Sequence, residues 1–386
     1  MKKKYILLFI LITCCGLNFF TPRLLGIPPA YIGVYLFSFV LFILSNRKTL
    51  IDKKVLSFFI FFIIYLAYSL AISKDLASTF IYFCMWMFNC FVMWVFSKEL
   101  KAEEISDSLI IFTLFSVFLG GVTFFSGLTY SGNPYLLWNK NSYLFLVFIG
   151  FSLAVFRGYY FTAVLIILLS LLIFSRTLLV MYISLAIILV LDPKKLLKYL
   201  FIFLCSIILL GLLLYLLRHL TFVDFLIQRV EEATELAVAL YEYYYNGAGI
   251  GVGKKVGDHQ RFMLFVSNLD LLIGNFPYGT GMGLKNYLMH IDPKFYQYFV
   301  NGHVARAHNF YISYLAEMGV LFLFFIVLLF KIYSNIHAKI LKAAMLSIFL
   351  GLAFNEYITS PYLWLFFGIA INKNFRFNKK GNTVGT

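Results

Sequence analysis

Five of the six histidines of this 386-residue chain, His219, His259, His290, His303 and His308, lie within or just after residues 218–307. Histidine is the side chain most often used to bind a metal or to move a proton near neutral pH. His303 and His308 stand five apart, and with His290 or Asp292 they could be drawn as a metal site. Ligands on one helix generally stand three or four apart, so the spacing argues against it and no metal is predicted. A second chemically capable residue is Arg176, in Phe174-Ser-Arg-Thr-Leu-Leu-Val180 at the junction of two apolar runs. An arginine there either faces a cavity or an anion, or snorkels while closing a short turn.

The elements that must position these residues are apolar. Hydrophobic residues make up 62% of the chain and charged ones 13%, about half of what a soluble domain carries. Apolar runs of 15 to 20 residues recur along the chain, each close to the length needed to cross a hydrocarbon core of ~30 Å as a helix. They do not alternate in the manner of barrel strands. The spacing predicts twelve helical spans at 5–20, 30–45, 55–72, 77–96, 108–126, 141–156, 158–174, 177–191, 199–217, 308–330, 341–355 and 358–371. The run at 5–20, behind three lysines, resembles a signal peptide, but its end lacks small residues and another span follows, so it is read as a retained helix. All five cysteines, Cys14, Cys15, Cys84, Cys90 and Cys205, sit inside apolar runs, which argues against a disulfide framework or a zinc site.

The formal charge of +15 has a topological explanation. With the amino terminus in the cytoplasm, twenty of the 32 Lys and Arg fall inside, while the short outer connections hold only Arg23, Lys74, Lys140 and Arg176. That asymmetry is what the positive-inside rule requires, and it places both termini in the cytoplasm. Basic patches that bind nucleic acid sit on soluble faces, so no nucleic-acid partner is expected. The expected organisation is spans one to nine over 1–217, one large outer loop over 218–307, spans ten to twelve over 308–371, and a cytoplasmic tail over 372–386.

Within the loop, Phe222, Leu226, Val230, Ala233, Leu236, Ala237 and Leu240 form nearly a helical stripe. Tyr241, Tyr243, Tyr244 and Tyr245 suit a headgroup region, so the stretch is either an interfacial helix or a loop helix packed on its neighbours. Residues 247–257 are glycine-rich but fail as a nucleotide loop. Ala248 stands where a glycine is needed and Lys255 where Ser or Thr is needed, and no strand precedes them. Lys254 and Lys255 are better read as meeting acidic lipid or a glycan diphosphate.

Ser175-Arg-Thr177 opening an apolar helix, Arg261 ahead of Pro277, Gly279, Gly281 and Gly283, and then His308-Asn309 followed by Glu317-Met-Gly319 form a series. In that order it resembles the O-antigen polymerases and ligases, over roughly residues 133–330. The resemblance implies an all-α polytopic membrane bundle of GT-C-like architecture. It also implies transfer of a glycan from undecaprenyl diphosphate to a sugar hydroxyl. Such a reaction needs a base for the acceptor hydroxyl and fixed positive charge for the departing diphosphate. His308 fits the base. Arg176 and Arg261 fit the diphosphate, because guanidinium stays charged and offers a planar fork of donors. Arg306, Asn309, Glu317 and His303 are secondary candidates. Glu317 lies nine residues beyond His308, about 180° round an ideal helix, so the two are not expected to pair.

The function expected is polymerisation of undecaprenyl-diphosphate-linked repeat units for O-antigen or capsule, without metal or cofactor, beside a chain-length regulator and a flippase. Ligation of the finished glycan to lipid A core is the neighbouring alternative. A lipid-linked oligosaccharide flippase is the distant one, and it predicts an internal helix repeat that the sequence lacks.

Overall fold

The fold is read from a computed structural model that describes residues 29–45, 52–98, 102–125, 140–170, 175–190, 234–235, 237–243, 245–246, 259–298, 306, 308–355, 357–372 and 375. The spans expected at 5–20 and 199–217, the glycine run at 247–257, His219 and His303 lie outside the described residues. Thirteen α-helices follow in order among those described: α1 Pro29–Ser45, α2 Lys53–Ile72, α3 Leu76–Lys98, α4 Ala102–Phe125, α5 Lys140–Arg157, α6 Tyr160–Ser170, α7 Arg176–Val190, α8 His259–Asn275, α9 Leu284–Met289, α10 Phe310–Met318, α11 Leu321–Ser334, α12 Lys339–Leu352 and α13 Pro361–Ile371. No strand occurs among the described residues. The structure is all-helical.

Two of these helices, α2 with 20 residues and α3 with 23, are by themselves long and apolar enough to cross a membrane. At 1.5 Å per residue, α2 spans about 30 Å. One face of α2 buries Val55, Phe58, Phe61, Phe62, Tyr65 and Ser69. Its other face exposes Leu56, Ile60, Ile63, Ile64 and Leu70. A helix apolar on its outer face as well is stable against hydrocarbon rather than water. By contrast, every residue of α13 is buried, so it is a central helix.

Small residues set the closest helix pairs. A Cβ added at Gly368 of α13 would meet Met93 O of α3, one at Gly150 of α5 would meet Thr113 of α4, and one at Gly351 of α12 would meet Met181 of α7. Between helices in an apolar medium, packing must supply the attraction, and glycine lets backbones approach. At the centre Phe62, Trp86, Phe325 and Trp364 meet from four helices, Phe62 stacked on Trp86 with ring centroids 4.5 Å apart and Phe325 and Trp364 edge-on to Trp86. A buried Asn89 is satisfied, accepting from Tyr35 Oη at 3.0 Å and donating to Thr359 O at 3.0 Å.

Side-chain contacts define the two ends of the bundle. At one end Lys331 Nζ meets Ser57 Oγ, Arg157 pairs with Glu103 and Asp107, and Asn372 donates to Phe96 O. At the opposite end Lys285 pairs with Asp75. Each contact joins segments that the charge pattern had assigned to the same side.

The helix expected over 308–330 is two helices. A straight helix would separate residues 310 and 322 by about 18 Å, yet the Phe310 and Phe322 rings are 5.3 Å apart. Gly319, at φ 58°, ends α10 and the chain folds back, so that Phe310 also reaches Phe325 at 6.3 Å. Phe325 in turn stacks on Phe61 of α2 at 5.7 Å. Phe310 is therefore level with the middle of α2.

Candidate functional site

Residues 277–289 seat the loop on the α2–α3 connection. Tyr68 Oη donates to Tyr278 O, Met282 N to Ser69 Oγ, and Asp75 N to Asn286 Oδ1, at 2.7 to 3.0 Å. Asn286 Nδ2 donates to Asp75 O and to Thr79 Oγ1. Lys285 Nζ lies 2.5 Å from Asp75 Oδ2, and this bond, with help from the Ser78 amide, holds the Asp75 carboxyl below its ordinary value. The contribution of this pair is present above the ordinary carboxylate range and is lost only as pH falls through the lowered pKa, so the seat persists at neutral pH.

The same loop caps the end of α10. Thr280 N donates to Ala316 O at 3.0 Å, Gly281 N to Glu317 O at 3.1 Å, and Val320 N to Pro277 O at 2.9 Å. The last carbonyls of a helix have no partner of their own, and here the loop amides supply one. A Cβ on Gly279 would meet Glu317 O, and one on Gly319 would meet Pro277 O. The Pro-x-Gly-x-Gly-x-Gly and Glu-x-Gly segments are thus two halves of one main-chain junction.

Glu317 is fully buried and pairs with Arg306, itself 5% exposed. The carboxylate Oε1 also accepts from Gly283 N at 3.2 Å and from Tyr65 Oη at 3.4 Å. Arg306 donates from Nη1 to Tyr314 Oη at 3.2 Å. Its guanidinium lies 4.8, 5.4 and 5.6 Å from the ring centroids of Tyr314, Tyr82 and Tyr287, within the range of cation–π attraction. Burial opposes the Arg306 charge, and Glu317 is the group placed to compensate it. As a secondary candidate for substrate contact, Arg306 is therefore already engaged by protein groups. The tyrosines carried no signal in the sequence, because Tyr65 and Glu317 are 252 positions apart.

His308 and Asn309 connect this pair to α10. Asn309 is the N-cap, accepting from Ile312 N at 3.1 Å, which satisfies one of the open amides of the helix start. His308 therefore precedes the cap rather than beginning the helix. It is half-buried, and its φ of 50° is the only positive value among described non-glycine residues. Such backbone strain persists where its surroundings enforce it, and it clusters at functional sites.

The diphosphate candidates are placed by their backbones. Arg176 is the first residue of α7. The neighbouring Thr177 lies beside Gly351, close to the end of α12 whose following Asn355 receives the Phe310 amide. The starts of α7 and α10 thus both lie close to the end of α12. Arg261 is on the first turn of α8, which packs against α10, and the next residues, Phe262, Met263 and Leu264, share a buried cluster with Ala316. The described helical residues at 237–243 join that cluster through Ala239, while Tyr241 and Tyr245, stacked at 5.1 Å, stay exposed. Among the described residues no group of three or more His, Cys, Asp or Glu could hold a metal ion.

Fold and site together define an all-helical protein, two of whose described helices are long and apolar enough to cross a membrane, with a strained, half-buried histidine and two arginine-bearing helix starts placed on the elements around it. Residues 144–327 match the family model described as O-antigen ligase, a stretch running from α5 into α11 that contains every motif above. This match bears out the resemblance to O-antigen polymerases and ligases and supports a role in polysaccharide assembly. No curated protein and no solved structure matches the chain.

Proposed function

We propose that the protein joins undecaprenyl-diphosphate-linked oligosaccharide repeat units on the outer face of the bacterial cytoplasmic membrane. The observation that carries this reading is the non-helical His308–Asn309 segment level with the middle of α2. Non-helical backbone at membrane depth is tolerated where it is buried in protein or lines a hydrated cavity, and the half-exposure of both residues favours the cavity. The acceptor hydroxyl oxygen attacks the anomeric carbon as His308 takes its proton. The bond from that carbon to the diphosphate breaks, and undecaprenyl diphosphate leaves against the charges of Arg176 and Arg261. No metal or cofactor is proposed: the diphosphate leaves without protonation, and the two guanidiniums supply the positive charge it needs. Incubating purified protein with lipid-linked repeat units tests the reading. Longer lipid-linked chains support it, and movement of the repeat unit across vesicles without chain growth overturns it.

The description of the matched family favours a second reading, ligation of a finished glycan to lipid A core. A deletion strain separates the two: single repeats on the core indicate a lost polymerase, and unattached lipid-linked chains a lost ligase. A chain-length regulator and a flippase are the partners proposed.

Twelve spans with both termini cytoplasmic fit the charge pattern, and the contacts at the two ends of the bundle support them. Lys285, whose side chain is 64% exposed, then faces outward. In a cysteine-free background Lys285→Cys should react with an impermeant thiol reagent in intact spheroplasts. Protection until lysis would reverse the orientation.

Arg176→Lys and Arg261→Lys should each impair chain growth strongly at near-normal protein abundance. Lysine keeps the charge but loses the two-pronged grip on phosphate oxygens. Full activity in both variants would remove that role.

A further inference from the structure

We propose that the Arg306–Glu317 ion pair is the positioning element for His308, an inference that rests on His308 being the base. Neither member of the pair touches substrate. Glu317 lies in the last turn of α10, nine residues beyond the histidine, and acts through Arg306, two residues before that histidine.

Three features support the inference. The helix α10 has nine residues, too few to be stable by itself, so its placement must come from tertiary contacts. The apolar contacts available to it, such as Phe310 on Phe322 and Phe325, are non-directional and do not fix its register. The pair is directional: it fastens the chain just before His308 to the last turn of α10, and through Tyr65, Tyr82 and Gly283 to α2, α3 and the capping loop. Between these fixed points His308 must adopt its left-handed backbone. A buried pair is often replaceable by apolar groups without loss of stability, and the best-attested reason to retain one is register.

The test separates register from stability. The double variant Arg306→Met with Glu317→Leu removes both charges at similar volume and is expected to reach near-normal abundance. Backbone hydrogen exchange over residues 307–315 should rise at least tenfold, and turnover should fall at least tenfold with the donor KM unchanged. Arg306→Lys is the milder variant, retaining the charge while losing the fork, and should show smaller changes of the same sign even if the double variant fails to accumulate. Wild-type exchange and turnover in Arg306→Lys and in any double variant that accumulates would overturn the proposal. So would a raised donor KM at unchanged turnover, which would make Arg306 a donor-binding residue. Raised exchange with normal turnover also overturns it. Which assumption failed is then read from His308→Ala: an active alanine variant means that His308 is not the base, and an inactive one means that the pair does not set its catalytic position.

Discussion

Replacing His308 by alanine is expected to slow polymer formation by about 10²- to 10⁴-fold, the usual worth of a positioned general base. Donor binding should survive, because the proposed phosphate contacts come from Arg176 and Arg261. The pH dependence gives the sharper result. A base works in its neutral form, so turnover should fall as pH drops through the imidazole pKa and level off above it. The alanine variant should lose that acid limb along with the rate. His303→Ala, five residues earlier in the chain, should keep both. An alanine variant at 308 that makes normal polymer at the normal rate would end the proposal and turn attention to a mechanism in which the arginines alone suffice.

Gly319→Ala is expected to be the most damaging single methyl addition to the fold. At φ 58° and ψ −138° a side chain costs roughly 1–3 kcal/mol from backbone strain alone. The new Cβ would also meet Pro277 O and the backbone of Tyr278, which cannot rotate away as a side chain would. The total is on the order of 3 kcal/mol or more, enough to depress abundance in the membrane. Gly158→Ala is the control. Gly158 also has a positive φ, of 78°, but nothing lies within 4 Å of its added Cβ, so it should lose only the conformational part. Thermal unfolding in detergent compares the two. Equal losses would mean that the junction between residues 277–283 and the end of α10 contributes nothing to stability.

The sequence by itself determined the all-helical, apolar character of the chain and the residues worth testing, because each of these is a local property. An apolar run long enough to cross hydrocarbon can satisfy its backbone only as a helix, so α2 and α3 were readable from composition and length. Lys and Arg between the runs marked the ends that the contacts later joined, such as Arg157 with Glu103 and Asp107. The pairing of His308-Asn309 with Glu317-x-Gly319 was visible as a motif, but its meaning was not. Hydropathy continues smoothly from residue 310 to 330, and nothing in that run says that the chain turns back at Gly319. The reversal depends on Pro277, whose carbonyl receives the Val320 amide, and on the loop amides that close the end of α10. Likewise Glu317 had no visible partner, since Tyr65 lies 252 positions away and Arg306 could as readily have faced a phosphate. Partners so distant in sequence leave no periodic trace. Only the packed bundle brings them within hydrogen-bond range, and with them it decides where His308 sits among the helices.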